Sequence, residues 1–250
     1  MIHSFLLIGQ SNMAGRGFLD EAVPVDTDNI RVLRNGRWHK MYRPVNCDRP
    51  FSGSSLAESF AEAYARDHQV TVGLIPCADG GTSLDQWREG SLLFDHAVLQ
   101  ARLAQRTSTI AGVLWHQGES DCSAARDPLC AEKLTAILHA FRRELNLYDV
   151  PFLLGGLGDF LSECTLSVHL VNYPHVNAAL QRVAAAEEMT GFVPADGLPA
   201  NPDNLHFSAS GLHAFGLRYY EVFRTLERRD KVFMEKPDPD AAVRSPMELL

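Results

Sequence analysis

Short apolar runs alternate with amphipathic helical patterns along this chain, and the alternation limits the folds it can adopt. Runs of strand length lie at 5–8, 70–75, 110–115 and 151–155, with a weaker one at 191–194. Between them, apolar residues recur every three or four positions, most clearly from Leu212 to Leu226. Strands that alternate with helices form parallel sheets covered on both faces. The sequence therefore predicts an α/β fold, a three-layer α/β/α sandwich around a mostly parallel sheet of about five strands.

Two irregular segments interrupt this pattern. Residues 20–50 are rich in Pro, Asn, Asp and Arg and contain a hairpin pattern, in which Asn35-Gly36 is typical of a type I′ turn. Residues 156–174 form a second long connection, and long loops in compact domains often carry function. The last residues are charged and contain three prolines. We therefore expect a single domain over 1–230, followed by a tail over 231–250.

Composition argues against several classes of partner. The formal net charge is −8 at pH 7, so the chain has no basic surface with which to neutralise nucleic-acid phosphates. No segment approaches the roughly 20 apolar residues of a transmembrane helix, so no membrane partner is expected. The five cysteines are scattered and include no C-x-x-C pair, which favours reduced thiols. Met1 leads into the first strand without a signal-peptide pattern, and we expect a cytoplasmic protein.

Four polar motifs stand at the ends of the predicted elements. They are GQSNM at 9–13, PCADGGTS at 76–83, HQGESD at 116–121 and DNLH at 203–206. The first three follow predicted strands, and the fourth precedes the last helix. Ligands of open parallel sheets bind just beyond the carboxyl ends of the strands. We therefore expect the four motifs to meet at one edge of the sheet.

Three residues of these motifs have the chemistry that ester hydrolysis requires. Ser11 can act as a nucleophile, His206 as the base that removes its proton, and Asp203 as the carboxylate that orients the imidazole. A spacing of three residues at the start of a helix places Asp203 and His206 on the same side. Each also has a purely structural interpretation, because Ser and Asp are common helix N-caps. The presence of all the motifs together favours catalysis.

Candidate donors to an oxyanion lie in the other two motifs. Gly80-Gly81 lets backbone N–H groups approach a substrate closely, although Gly-Gly is also an ordinary turn. Gln117 carries a side-chain amide suited to the same task, and its alternative is a polar surface residue.

In their order along the chain, the motifs resemble those of the Ser-Gly-Asn-His hydrolase superfamily. The similar branch is that of the carbohydrate esterases, the sialate O-acetylesterases and proteins like acetyl xylan esterase, and the resemblance covers about residues 5–220. It implies a flavodoxin-like sandwich and a serine esterase that removes O-acetyl groups from a sugar or oligosaccharide. The reaction would pass through an acetyl-serine intermediate, with no metal or cofactor.

The resemblance also assigns roles to individual residues. It implies that Ser11, Asp203 and His206 are catalytic and that the oxyanion is bound by Ser11, Gly81 and Gln117. Gly80 is the less favoured glycine donor. Glu119 is a second carboxylate near the site, which could orient His206 in place of Asp203 or hold the loop of Gln117.

Substrate contacts are harder to assign from the sequence. Trp87 and Trp38 could stack on a sugar ring, although tryptophan is more often packed in the core. Arg16 could bind an anionic substrate or pair with a local carboxylate.

Two other functions compete with an esterase. One is a non-catalytic carbohydrate-binding module on the same fold, which would have no need of an intact Ser11, Asp203 and His206. The other is a metal-dependent hydrolase that uses the imidazoles and carboxylates of His116, Glu119, Asp121 and His206.

Overall fold

A seven-stranded sheet runs through the described residues, which are 1–124 and 126–227 of the computed structural model. Its strands are β1 (Ile2–Gly9), β2 (Ile30–Arg34), β3 (Arg37–Lys40), β4 (Thr71–Pro76), β5 (Thr109–His116), β6 (Phe152–Gly155) and β7 (Thr190–Val193). The helices are α1 (Ser11–Ala14), α2 (Leu56–His68), α3 (Leu92–Ala104), α4 (Cys130–Leu145), α5 (Tyr173–Ala186) and α6 (Ala209–Leu226). The predicted tail at 231–250 lies outside the described residues.

The strand order is β3-β2-β4-β1-β5-β6-β7, and only β2 and β3 pair antiparallel. All five predicted strands are present, so the mostly parallel sheet is confirmed. The predicted count was too low because the hairpin of the irregular segment joins the sheet, with Ile30 paired to Val72. Its turn residues Asn35 and Gly36 have φ angles of 50° and 73°, as a type I′ turn requires.

Helices cover both faces of the sheet and create two cores. Alternate residues of β1 point to opposite faces, so Phe5 and Leu7 pack towards α2 and α6. Leu6 and Ile8 pack towards α3, α4 and α5 on the other face. The sequence did not predict α3, because its buried face consists largely of alanines and its first residue, Leu92, is exposed.

The described residues contain neither a candidate membrane-spanning helix nor a disulfide bond. No helix there combines the length and hydropathy that crossing a bilayer requires. All five cysteines are free thiols, and Cys47 is the exposed one.

β1 occupies the centre of the sheet, between β4 and β5. After β4 the chain crosses to the other side of β1, where β5, β6 and β7 follow outwards in order. The carboxyl end of β1 therefore lies at the point where α/β sheets commonly bind ligands. The aromatic ring of Phe5 anchors the strand, with edge-to-face contacts to Phe60 and Tyr64 at centroid distances of 4.8 Å. The first motif is thereby fixed to a central strand that is buried from His3 to Gly9.

The buried His3 on β1 makes stability depend on pH. Its Nδ1 lies 2.7 Å from the Tyr64 hydroxyl, and burial, helped by the nearby His68, lowers the pKa of His3 from 6.5 to about 4. Between these values the unfolded chain binds a proton that the folded protein does not. The free energy of unfolding therefore falls as the pH decreases through this window.

We predict that His3 alone lowers the free energy of unfolding by about 2 kcal/mol between pH 7 and pH 5. Urea denaturation at both pH values measures the free energy of unfolding. Its difference between pH 7 and pH 5 should be smaller in His3→Asn than in the unsubstituted protein by this amount. The same substitution at the exposed His96 serves as the control and should retain the original pH dependence. Equal pH dependence in His3→Asn and the unsubstituted protein would contradict the prediction.

Candidate active site

Ser11, His206 and Asp203 form a continuous chain of hydrogen bonds at the carboxyl edge of the sheet. The Ser11 Oγ lies 3.1 Å from the Nε2 of His206, although 195 residues separate them in the sequence. The Nδ1 of His206 lies 2.7 Å from the Oδ2 of Asp203. The structure thus brings together the three residues that the motifs single out.

Asp203 is held as an ionised acceptor. Its Oδ1 accepts hydrogen bonds from the backbone N–H groups of Leu205 at 2.9 Å and His206 at 3.0 Å. Partial burial raises the pKa of Asp203, but these bonds and the one from the imidazole outweigh it, so the pKa lies below its usual value. Asp203 is not the N-cap of α6, because Ser208 fills that position and accepts from Gly211. The carboxylate is therefore available to orient the imidazole.

A tight turn between β1 and α1 presents Ser11. Gly9 has a φ of 132°, and a Cβ there would lie 2.0 Å from the carbonyl oxygen of His116, so this position requires glycine. Gln10 occupies the N-cap position and Ser11 is the first residue of α1. The N-cap interpretation of Ser11 is therefore wrong. Its backbone N–H makes no hydrogen bond within the described residues.

The two glycines of the second motif differ in what they can offer a ligand. The N–H of Gly80 donates to Oδ2 of Asp48 at 2.9 Å. The N–H of Gly81, where φ is 79°, has no hydrogen-bond partner in the described part of the chain. Both glycines line the cleft beside Ser11. Gly81 is therefore the glycine whose backbone N–H is available to a ligand.

The family resemblance implied that Gln117 binds the oxyanion, but its side chain points elsewhere. Its side chain is buried, and Nε2 donates to the carbonyl of Thr82 at 3.0 Å and to Asp121 Oδ2 at 2.6 Å. These two bonds use both hydrogens of the amide, and Gln117 does not line the cleft. The carboxylate four residues further along the chain draws the amide away from Ser11. Gln117 instead ties β5 to the loop that carries Gly81.

Gln10 takes the position expected of Gln117. It is 3% exposed and lines the cleft with Ser11 and Gly81. Its Oε1 accepts from the backbone N–H groups of Gly118 at 3.3 Å and Ser120 at 3.4 Å, which fixes the amide. Its Nε2 has no hydrogen-bond partner among the described residues. The available signal in the sequence is that Gln10 directly precedes the candidate nucleophile.

Asn12 is a second residue that the sequence analysis missed. Its Nδ2 donates to Oε1 of Glu119 at 2.6 Å and to the carbonyl of Leu205 at 3.2 Å. Its Oδ1 accepts from the backbone N–H of Phe207 at 3.1 Å. The residue next to Ser11 therefore holds both sequence neighbours of His206. Glu119 orients Asn12, and the carboxylate bonded to the imidazole is Asp203.

Neither of the two candidate tryptophans lines the cleft beside Ser11. Trp87 is buried, donates to Thr82 Oγ1 at 3.0 Å and packs edge-on against Trp115. Trp38 donates to Thr107, and its ring covers Gly73. Burial excludes Trp87 from sugar stacking, while the half-buried Trp38 lies away from the cleft.

Arg16 is buried and pairs with a local carboxylate. Its guanidinium donates two hydrogen bonds to Asp48, at 3.1 and 2.7 Å, and a third to the carbonyl of Gly15 at 2.9 Å. The pairing interpretation of Arg16 is therefore the one the structure supports. Since Asp48 also binds Gly80, this ion pair supports the floor of the cleft.

The site opens into a cleft of about 650 Å³, a size typical of small-molecule sites. Arg49, Arg126 and His169 lie at its rim. Among the described residues, no three His, Cys, Asp or Glu side chains are grouped so that they could hold a metal ion. The four ligands considered from the sequence are therefore not arranged as a metal site.

The sheet topology and its helical layers define a three-layer α/β/α sandwich with a mostly parallel central sheet. The family described as carbohydrate esterase, sialic acid-specific acetylesterase matches residues 1–225, and the chain belongs to it. This membership supports a carbohydrate esterase function.

Several known proteins are similar to the chain. A probable carbohydrate esterase of Arabidopsis thaliana is 28% identical over 249 residues, covering 88% of this chain and 89% of that protein. A solved Arabidopsis thaliana structure has a TM-score of 0.79 at 25% identity, over 89% of this chain and 98% of that one. A carbohydrate acetylesterase from Xanthomonas citri shares the fold at 18% identity, with a TM-score of 0.67 over 90% of this chain and 56% of that one.

The contacts of Asn12 predict that it positions His206. In Asn12→Asp a second carboxylate would face Glu119, and repulsion should displace the His206 loop, lowering kcat/KM for an acetyl ester by about 10- to 100-fold. Adding Glu119→Gln restores a donor between the two side chains and should recover most of the loss. Glu119→Gln alone keeps an acceptor for Asn12 and should have the smallest effect. A double variant no more active than Asn12→Asp would contradict this positioning role.

Proposed function

We propose that the protein is a serine esterase that removes O-acetyl groups from a carbohydrate through an acetyl-Ser11 intermediate. The observation that carries the proposal is the hydrogen-bonded chain from Ser11 through His206 to Asp203, open to a cleft of ligand size. Membership of a carbohydrate esterase family supports the substrate class. The intact chain of three residues favours an esterase over a non-catalytic binding module.

In the first step, the Nε2 of His206 takes the proton of Ser11 as Oγ attacks the acetyl carbonyl. The pKa of Asp203 lies below its usual value, so the carboxylate is ionised at neutral pH. It accepts from Nδ1–H, leaves Nε2 free to act as a base and stabilises the imidazolium that forms.

We assign three N–H groups of the cleft to the binding of the oxyanion. They are the backbone N–H of Ser11, the backbone N–H of Gly81 and the side-chain Nε2 of Gln10, none of which has a partner within the described residues. Fixed donors of this kind stabilise an oxyanion because they need no reorganisation during the reaction. Gln10 takes the role that the family resemblance implied for Gln117. The amide of Gln117 instead donates to Thr82 and Asp121.

Collapse of the tetrahedral intermediate breaks the bond between the acetyl carbon and the sugar oxygen. The imidazolium of His206 gives its proton to that oxygen, and the sugar alcohol leaves. A water molecule then attacks acetyl-Ser11 while His206 accepts its proton. Acetate is released, and the proton returns to Ser11.

Ser11→Ala tests the proposal. The variant should lower acetate release from an acetylated sugar, and hydrolysis of p-nitrophenyl acetate, by about 10⁴-fold or more. Ser162→Ala, an exposed serine remote from the motifs, is the matched control and should retain full activity. Activity near that of the unsubstituted protein in Ser11→Ala would reject Ser11 as the nucleophile. Binding of acetylated sugars without turnover by the unsubstituted protein would favour the non-catalytic alternative.

The two glutamines give a second test. Gln10→Ala removes the free donor, and kcat for p-nitrophenyl acetate should fall by about 10²- to 10³-fold. Gln117→Ala removes the bonds to Thr82 and Asp121, so it should lower Tm. Its loss of kcat should be at least tenfold smaller than the loss in Gln10→Ala. A larger loss of kcat in Gln117→Ala than in Gln10→Ala would return the oxyanion role to Gln117.

A further inference from the structure

A second pocket, of about 420 Å³, lies on the other side of His206. It shares Arg16, Phe51 and His206 with the main cleft, and Asp203 also lines it. The two cavities therefore meet at the imidazole and at one phenylalanine. An acetyl group occupies only a small part of this combined space, which leaves room for a large alcohol.

Phe51 stands between the two cavities with 70% of its surface exposed. Phe18 and Leu19, which also line the second pocket, are 46% and 49% exposed. Large apolar side chains that cluster in an exposed patch beside a cleft commonly mark a binding surface. Here the patch is continuous with the candidate catalytic groups.

The ring of Phe51 is held in place from within the protein. The guanidinium carbon of Arg16 lies 5.3 Å from its centroid, and Arg16 is itself fixed by Asp48. A cation in this position attracts the π-face of the ring. The phenylalanine is therefore oriented before a ligand arrives, which reduces the entropy lost on binding.

The position of the oxyanion donors gives the direction in which the alcohol extends. Ser11, Gly81 and Gln10 line the main cleft and do not line the second pocket. The leaving oxygen must instead lie within reach of Nε2 of His206, which accepts and returns the proton. An alcohol that extends past His206 on the side away from these donors meets Phe51 and enters the second pocket.

We propose that the second pocket binds the sugar ring next to the scissile ester and that Phe51 is the surface on which this ring stacks. The C–H face of a sugar packs against an aromatic ring, while its hydroxyls reach the polar groups of Asp20 and Ser52 on the same pocket wall. The carboxylates of Asp20 and Asp203 disfavour an anion, and the guanidinium of Arg16 is already paired with Asp48, so the pocket favours an uncharged ring. This inference rests on the esterase activity proposed above and adds a specificity-determining residue to it.

The test compares two acetyl esters that differ only in the alcohol. For an acetylated xylo-oligosaccharide, Phe51→Ala should lower kcat/KM by about tenfold or more, mainly through KM. The loss should be at least fivefold larger for this substrate than for ethyl acetate. Phe51→Trp keeps an aromatic face and should recover most of the activity on the oligosaccharide. Tyr148→Ala, an exposed aromatic on the loop after α4, is the matched control and should change neither value.

Equal losses for both esters in Phe51→Ala, or no loss for the oligosaccharide, would overturn the stacking role while leaving the esterase intact. If the unsubstituted protein hydrolyses neither ester, the esterase activity itself fails, and this inference fails with it. Recovery in Phe51→Trp separates a requirement for an aromatic face from a general disturbance of the loop.

Discussion

The hydrogen bond between Ser11 and His206 is the contact on which the rest of the site depends. It joins the end of the central strand β1 to the loop before the last helix, across 195 residues of sequence. Local turns orient each side chain, but the packing of distant elements sets the distance between them. Ser11 is fixed because β1 is buried on both faces, and His206 is fixed because α6 packs on one of those faces. The geometry of the site is thus a consequence of the two cores.

Buried polar groups then refine a position that packing sets only approximately. Asn12 connects the nucleophile to both neighbours of His206, and Asp48 connects Arg16 to Gly80. Burial raises the pKa of Asp48, but its bonds from Arg16, Ser52 and Gly80 lower it overall. Such groups are costly to bury unless they are satisfied, and most of those that surround this cleft have partners. Among the described residues that line the cleft, the exceptions include the three N–H groups that we assign to the oxyanion and the Oε2 of Glu119.

Much of the fold could be predicted from the sequence because its signals are local. The five apolar runs are confirmed as strands, and the structure brings Ser11, Asp203 and His206 together at the edge where parallel strands end. The hairpin was recognised from Asn35-Gly36, but periodicity cannot tell whether a hairpin stays apart or extends a sheet.

The prediction for Gln117 failed for a different reason. Whether an amide faces a cleft depends on its neighbours in space, and Asp121 and Thr82 claim both hydrogens of this one. The position of Trp87 also depends on its neighbours in space, and its side chain is fully buried in the core.

The most direct measurement is the identification of the covalent intermediate. The protein would be mixed rapidly with p-nitrophenyl acetate, quenched with acid, digested and analysed by mass spectrometry. We expect an acetyl group attached to Ser11 in the peptide that contains this serine. The acetyl group should be lost from the protein as hydrolysis goes to completion. Turnover of the ester without acetylation of Ser11, or with acetylation at another side chain that lies on the reaction path, would contradict this expectation.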